Sequence, residues 1–281
     1  FNEEGRKMKL LIKNEAMRYF KKKSLWGLYL SIPLMVALMV SQAVKANEIV
    51  SVEKVATFHT FALYMPLHKI FTFYLFAIPV IMTGMSIASE YENSEIRMIL
   101  IRGYSTRQVY LVKLLILLLS LFLFIVAYLI CSYIIGFIMF PKENQIISFL
   151  SHEALNPTQC LLLTVKYYIA VLLILSVFTL GISLLAIMVC SVVTTTVFGM
   201  LFILGGFGFY LILQVIQPYL FSLDVSLFSL WSLPMMQLKG IYSMITGHQE
   251  MLRESVIVLS VYLSVFLGLS YYLTGKQDQF I

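Results

Sequence analysis

Charge is what this 281-residue sequence has least of: 12% of its residues are Asp, Glu, Lys or Arg, against 60% hydrophobic ones. Soluble domains carry about 25% charged residues and about 45–50% apolar ones. At a mean hydropathy of +0.90, a chain of this size has too little polar surface to cover a globule in water. That excludes an ordinary soluble enzyme, a disordered chain and a nucleic-acid-binding domain. Cysteine is scarce as well. The three present, Cys131, Cys160 and Cys190, read as small buried hydrophobes and not as a disulfide framework or a metal set. Catalytic signatures are missing too. No Gly-x-x-x-x-Gly-Lys-[Ser/Thr] phosphate loop occurs, nor a Gly-x-Ser-x-Gly elbow. His152-Glu153 begins like a zinc-protease helix, but position 156 is Asn, so the second ligand is absent. The sequence therefore offers no catalytic residue, no metal site and no resident cofactor, and the chain itself is expected not to be an enzyme.

What is present is a set of long apolar runs. A helix crossing a bilayer needs about 20 such residues, and six stretches qualify: about 25–44, 67–89, 110–140, 161–190, 193–215 and 255–274. The longest charge-free run, Tyr167 to Leu223, exceeds one crossing and must fold back, with Ser191, Thr194, Thr195 and Thr196 marking the turn. The runs are continuous and not alternating, which favours helices over a barrel. Their inner parts are essentially free of ionisable groups, which argues against a proton- or ion-driven carrier. Pro33 and Pro79 inside the first two spans favour kinks. Gly199, Gly205, Gly206 and Gly208 in the fifth allow close helix approach. Between spans five and six, residues 216–254 are largely apolar without crossing. Segments 223–232 and 235–246 read as re-entrant or interfacial helices.

Six crossings place both termini on one side. That side holds 13 of the 20 basic residues and 7 of the 14 acidic ones, so the whole net charge of +6 lies there. By the positive-inside rule it is cytoplasmic. The localisation expected is a multi-pass protein of the cell (inner or plasma) membrane. Residues 6–23 add an amphipathic pattern: Met8, Ile12, Ala16 and Tyr19 share one helical face, with Arg6, Lys7, Lys13, Arg18 and Lys21 on the other. This predicts an interfacial helix whose basic stems reach anionic lipid headgroups.

Residues 90–113 are the most informative. Asn93 or Ser94 suits a helix cap and Glu95 the first turn. Gly103 suits the residue just past the end of that helix, with Arg102 near its carbonyls. Ser105 and Gln108 have capping-box spacing for the third span. The spacing thus predicts a short rigid helix over 94–102 that presents Ile96, Ile99 and Leu100, a knob for a soluble partner to grip.

This segment resembles the permease subunits of ABC transporters of the ABC-2 type. Their first cytoplasmic loop runs Glu, three residues, Gly-Thr, an apolar run, Pro or Gly, Ser, Arg, then Lys at the start of span three. Here Glu90, Ile96-Arg97-Met98-Ile99-Leu100, Gly103, Ser105 and Lys113 match. Arg107 lies one place beyond the usual Arg, and Ser94-Glu95 stand in place of Gly-Thr. The resemblance implies an all-α membrane protein with six transmembrane helices, an N-terminal interfacial helix, a cytoplasmic coupling helix at 94–102 and re-entrant helices before the last span. It implies half of a translocation pathway, completed by a second permease copy or a related permease and driven by two copies of a separate ATPase subunit that binds ATP and Mg. Glu90, Glu92, Glu95, Arg97 and Arg102 would supply charged docking contacts, and Ile96, Ile99 and Leu100 packing. The cargo expected is an exported amphiphile: a peptide antibiotic or toxin, a lipid-like molecule or a drug. Apart from the resemblance, the residues alone are also compatible with a non-ABC polytopic protein, such as a channel or membrane scaffold.

Overall fold

A computed structural model describes residues 2–49, 56–65, 68–142, 146–147, 154–216, 228–241 and 249–277. The chain is an all-α membrane protein with six helices long and apolar enough to cross a bilayer. These are α2 (Lys23–Ile49), α4 (Lys69–Glu92), α6 (Thr106–Met139), α7 (Pro157–Val189), α8 (Val192–Ile216) and α10 (Gln249–Gln277). Four shorter helices complete the set: α1 (Asn2–Phe20), α3 (Phe61–Tyr64), α5 (Glu95–Leu100) and α9 (Leu233–Met235), which continues as a π turn over Met236–Gly240. A two-residue antiparallel pairing of Ile146–Ile147 with Ala154–Leu155 is the one extended contact among the described residues.

The helix ends follow local chemistry. At the start of α6 the Gln108 backbone N–H donates to Ser105 Oγ at 3.3 Å, and the Ser105 N–H donates back to Gln108 Oε1 at 3.1 Å, the reciprocal box its spacing predicts. Gly103 sits at φ +84°, as expected of a glycine stop. Pro157, at the first position of α7, follows Asn156, whose N–H donates to Gln159 Oε1 at 3.0 Å. That second box goes unread in the sequence because Pro157 looks like a loop residue there. Neither Pro33 nor Pro79 ends its helix. The irregular turn of α4 is instead the π segment Gly84–Ala88, where Met85 O accepts from both Lys22 Nζ and Ser89 Oγ, each at 2.6 Å.

Burial is uneven. In α4, 72% of the most apolar stretch is buried, against 11% in α8 and in α10. The centre is therefore α4 and α7, locked by rings such as Phe76 against Phe178 (4.8 Å between centroids, edge-on). Hydrocarbon surroundings give helices no hydrophobic reason to associate, so close approach through small residues matters. Gly199 of α8 meets α4 so closely that a Cβ there would lie 2.6 Å from Val80 Cγ1. Gly206 meets Ser232 and Pro234 in the same way, whereas Gly205 and Gly208 face open space.

The segment 228–241 enters the bundle. Ser232 Oγ donates to Gly206 O at 2.9 Å, and Lys239 Nζ donates to Tyr210 Oη at 2.7 Å, both on α8. On α10, Tyr262 Oη donates to Trp231 O at 2.7 Å, and Gly240 lies against Ser255. At 1.5 Å per residue, Tyr262 is ~17 Å along α10 from Met251. Trp231 is thus the deep end of this segment and Gly240 the shallow one. Of the segments 223–232 and 235–246 expected here, residues 223–227 and 242–246 lie outside the described set.

Candidate functional site at the end that carries the chain's N-terminal helix

The end of the bundle that carries α1 also carries α5 and the densest group of charges among the described residues. α1 does not stand apart from the spans. Leu11, Glu15 and Tyr19 are buried, with Met8, Ile12, Ala16 and Phe20 packed beside them, and Tyr19 Oη donates to Ser120 Oγ of α6 at 3.3 Å. Burial pushes the Tyr19 hydroxyl well above its ordinary pKa. Leu10 and Met17 remain exposed.

Lys113, on the second turn of α6, is the hub. It is 3% exposed, and its Nζ donates to Glu15 Oε2 at 2.7 Å and to Glu90 Oε2. Glu90, at the end of α4, is also 3% exposed and binds the Arg18 guanidinium through its other oxygen. Arg18 reaches on to Glu95 (3.5 Å) and Glu15 (3.9 Å), and Lys22 Nζ lies 4.0 Å from Glu90 Oε1. Three carboxylates thus face three cations, and the cluster is neutral. Burial alone would lower Arg18, but its hydrogen bond to Glu90 and the charges of Glu90, Glu15 and Glu95 outweigh it and hold the guanidinium above its usual range. For Lys22 burial wins, and its ammonium lies below the ordinary value despite Glu90. Removing a buried member such as Lys113 or Glu90 costs about 3–5 kcal/mol, because the partner's charge is left unmatched.

The expected site residues separate in space. Arg18, read as a headgroup-facing base, turns inward because Glu90 is within its reach. Glu90 serves this intramolecular network. Glu92 is exposed, and its Oε2 accepts the Val192 N–H at 2.9 Å, placing an anion on the first turn of α8. Glu95 pairs with Arg18. On α5, Ile96 and Ile99 are buried in this chain and Leu100 is half-buried. The apolar residues that face outward are Met98 and Ile101, 63% and 84% exposed, followed by the exposed Arg102. The side chain of Arg97 lies outside the described set. Six residues are too few for the wheel to choose between the two faces of α5; the pull of the core on Ile96 and Ile99 decides it. The residue that the sequence reading missed is Glu15. Its signal is an acid in the buried i, i+4 row Leu11–Glu15–Tyr19.

Between α4 and α5, Ser94 adopts φ +57°. This is left-handed backbone, which glycine takes without penalty. The ABC-2 pattern has Gly where Ser94 stands.

The family described as "Protein of unknown function (DUF2705)" matches residues 34–280. The chain belongs to this family. No curated protein matches the sequence. The DUF2705 match takes in Glu90, Glu95 and Lys113, and begins after Glu15, Arg18 and Lys22. Among the described residues no group of three or more His, Cys, Asp or Glu is placed to hold a metal ion. The ion pairs of the charged cluster join α1, α4 and α6, and Glu95 mounts α5 on it.

Proposed function

We propose that this chain is the permease subunit of an ATP-driven ABC transporter of the ABC-2 type, with α5 as the element that docks an ATPase. The observation that carries the reading is the mounting of α5. A six-residue helix is marginal alone, yet this one is anchored by Ile96 and Ile99, flanked by the left-handed Ser94 and Gly103, and tied through Glu95 to Arg18. It holds Met98, Ile101 and Arg102 outward. A connecting loop has no need of two large apolar side chains in the open, one on a braced helix and one in the turn that ends it; a docking knob does. In this reading the permease lies in the cell membrane with both termini cytoplasmic, where 13 of the 20 basic residues also fall and meet anionic lipid. It pairs with a second permease copy or a related permease. Two ATPase subunits bind ATP and Mg, and their closure shifts the permeases between two states. The cargo is an exported amphiphile.

The test is affinity purification of the tagged chain from its native membranes. A subunit bearing a Gly-x-x-x-x-Gly-Lys-[Ser/Thr] loop is expected to accompany the wild type. Burying Met98 and Ile101 contributes about 1.5–3 kcal/mol each, so the double variant Met98→Asp, Ile101→Asp should weaken that association about 100-fold or more at unchanged thermal stability. Absence of any such subunit from the wild-type preparation, or full retention by the variant, refutes the reading.

A further inference from the structure

Leu233 of the segment 228–241 helps to line a cavity of about 150 Å³ between α7, α8 and α10, together with Phe178, Gly181, Leu185, Phe202 and Phe266 among others, every one without a polar side chain. Apolar cavities of this kind hold no water and accept hydrocarbon. This one lies on three membrane-crossing helices and is partly open. Phe266 closes over it, its ring 2.9 Å from where a Cβ on Gly181 would be.

The same segment leads from this cavity to unmatched polar groups. Leu233 lines the cavity. One turn on, Gln237 is fully buried, and neither Oε1 nor Nε2 has a hydrogen-bond partner among the described residues. An amide buried so gives up the hydrogen bonds it would make in water. Six residues past Leu233 comes Lys239, with its ammonium 4.1 Å from the centre of the Tyr210 ring. It pairs with no carboxylate among the described residues. Tyr210 Oη accepts from Lys239 and also from Gln214 Nε2 (2.6 Å), so its own proton is left to donate. On α8, Phe202 and Tyr210 are separated by ~12 Å at 1.5 Å per residue, and Lys239 lies six residues past Leu233 along α9 and its π turn. Both elements run from the cavity toward the cation in the same direction, away from the α1 end.

We infer that this chain binds an anionic amphiphile on the flank formed by α7, α8, α9 and α10. A hydrocarbon tail fills the cavity beneath Leu233. A phosphate-type head meets the Lys239 ammonium and the Tyr210 hydroxyl, with Gln237 bonding the polar linkage between them. The amphiphile is drawn from the bilayer, not from solution, because the cavity opens among helices that cross it. This names the substrate class within the permease reading and rests on that reading for its purpose, though not for binding.

The test needs no ATPase, so its failure is separable from failure of the docking assignment. Trp231, at the deep end of this segment, and Trp26 are the two tryptophans. In a Trp26→Phe background, Trp231 fluorescence is followed in phosphatidylcholine nanodiscs as phosphatidic acid with brominated acyl chains is added. Saturable quenching is expected, about tenfold tighter than for brominated phosphatidylcholine. Lys239→Met should bring the two lipids to parity, and Lys239→Arg should keep the preference. Leu185→Phe, which fills the cavity, should abolish saturation for both. Equal and non-saturable quenching by the two lipids in the parent protein overturns the inference. So does a preference unaffected by Lys239→Met.

Discussion

Replacing Lys113 with methionine tests whether the buried charges hold α1 to the bundle. The lysine is the only cation touching both Glu15 and Glu90 at hydrogen-bond distance among the described residues. Its loss changes the cluster from three cations and three carboxylates to two and three, with Glu15 left 3.9 Å from Arg18 as its one remaining ion pair. An uncompensated charge of this kind costs about 3–5 kcal/mol. The measurement is reversible unfolding in mixed micelles by titration with sodium dodecyl sulfate, read by circular dichroism. The double variant Lys113→Met, Glu15→Gln restores two against two. Glu15 would no longer be an unmatched anion, so the double variant should be more stable than Lys113→Met alone, with a coupling of about 1–3 kcal/mol. If Lys113→Met costs under about 1 kcal/mol, or if the two substitutions simply add, the cluster is a solvated charge group and the account of α1 docking fails.

Two further substitutions examine the backbone and the packing. Ser94→Gly should stabilise the chain by about 0.5–1 kcal/mol, since the left-handed backbone costs a side-chain-bearing residue ~1–2 kcal/mol and glycine's extra chain entropy returns part of it; a loss of stability in the same micelle titration would contradict the assignment. Gly199→Ala should cost about 1–3 kcal/mol through collision with Val80, with Val80→Ala restoring most of it. Gly205→Ala, with nothing within 4 Å of the added carbon, should be neutral or gain up to about 1 kcal/mol of helix propensity.

The six crossings were legible because each is a long unbroken apolar run, and length and composition alone decide such helices. The cap of α6 and the stop at Gly103 were legible because their signals are local: two side chains three residues apart, and one glycine. What pairs with what across the bundle left fainter marks. Arg18 looked like one more snorkelling base, and only the placement of Glu90 within its reach reveals otherwise. The outward face of α5 was hidden by its shortness. Ile96, Met98, Ile99 and Ile101 are all apolar, and which pair turns inward depends on the core beneath. Of the four glycines in α8, sequence marked all as sites of close approach. The fold uses Gly199 and Gly206, seven residues apart and so on one face, and leaves Gly205 and Gly208 open.

Lys113 and Lys239 show how one residue type does opposite work at the two ends. Lys113 is nine-tenths and more buried and satisfied twice over by carboxylates, so its charge is consumed in holding α1, α4 and α6 together. Lys239 is only half-buried, rests on a tyrosine ring and a hydroxyl, and meets no carboxylate among the described residues. A structural role would be served as well by a neutral side chain there, since Gln214 already bonds Tyr210. In the proposed lipid site, the anionic head matches this charge, which has no carboxylate beside it among the described residues. Replacement by methionine should therefore destabilise the fold at Lys113 and spare it at Lys239, and loss of anionic-lipid preference should follow only the second.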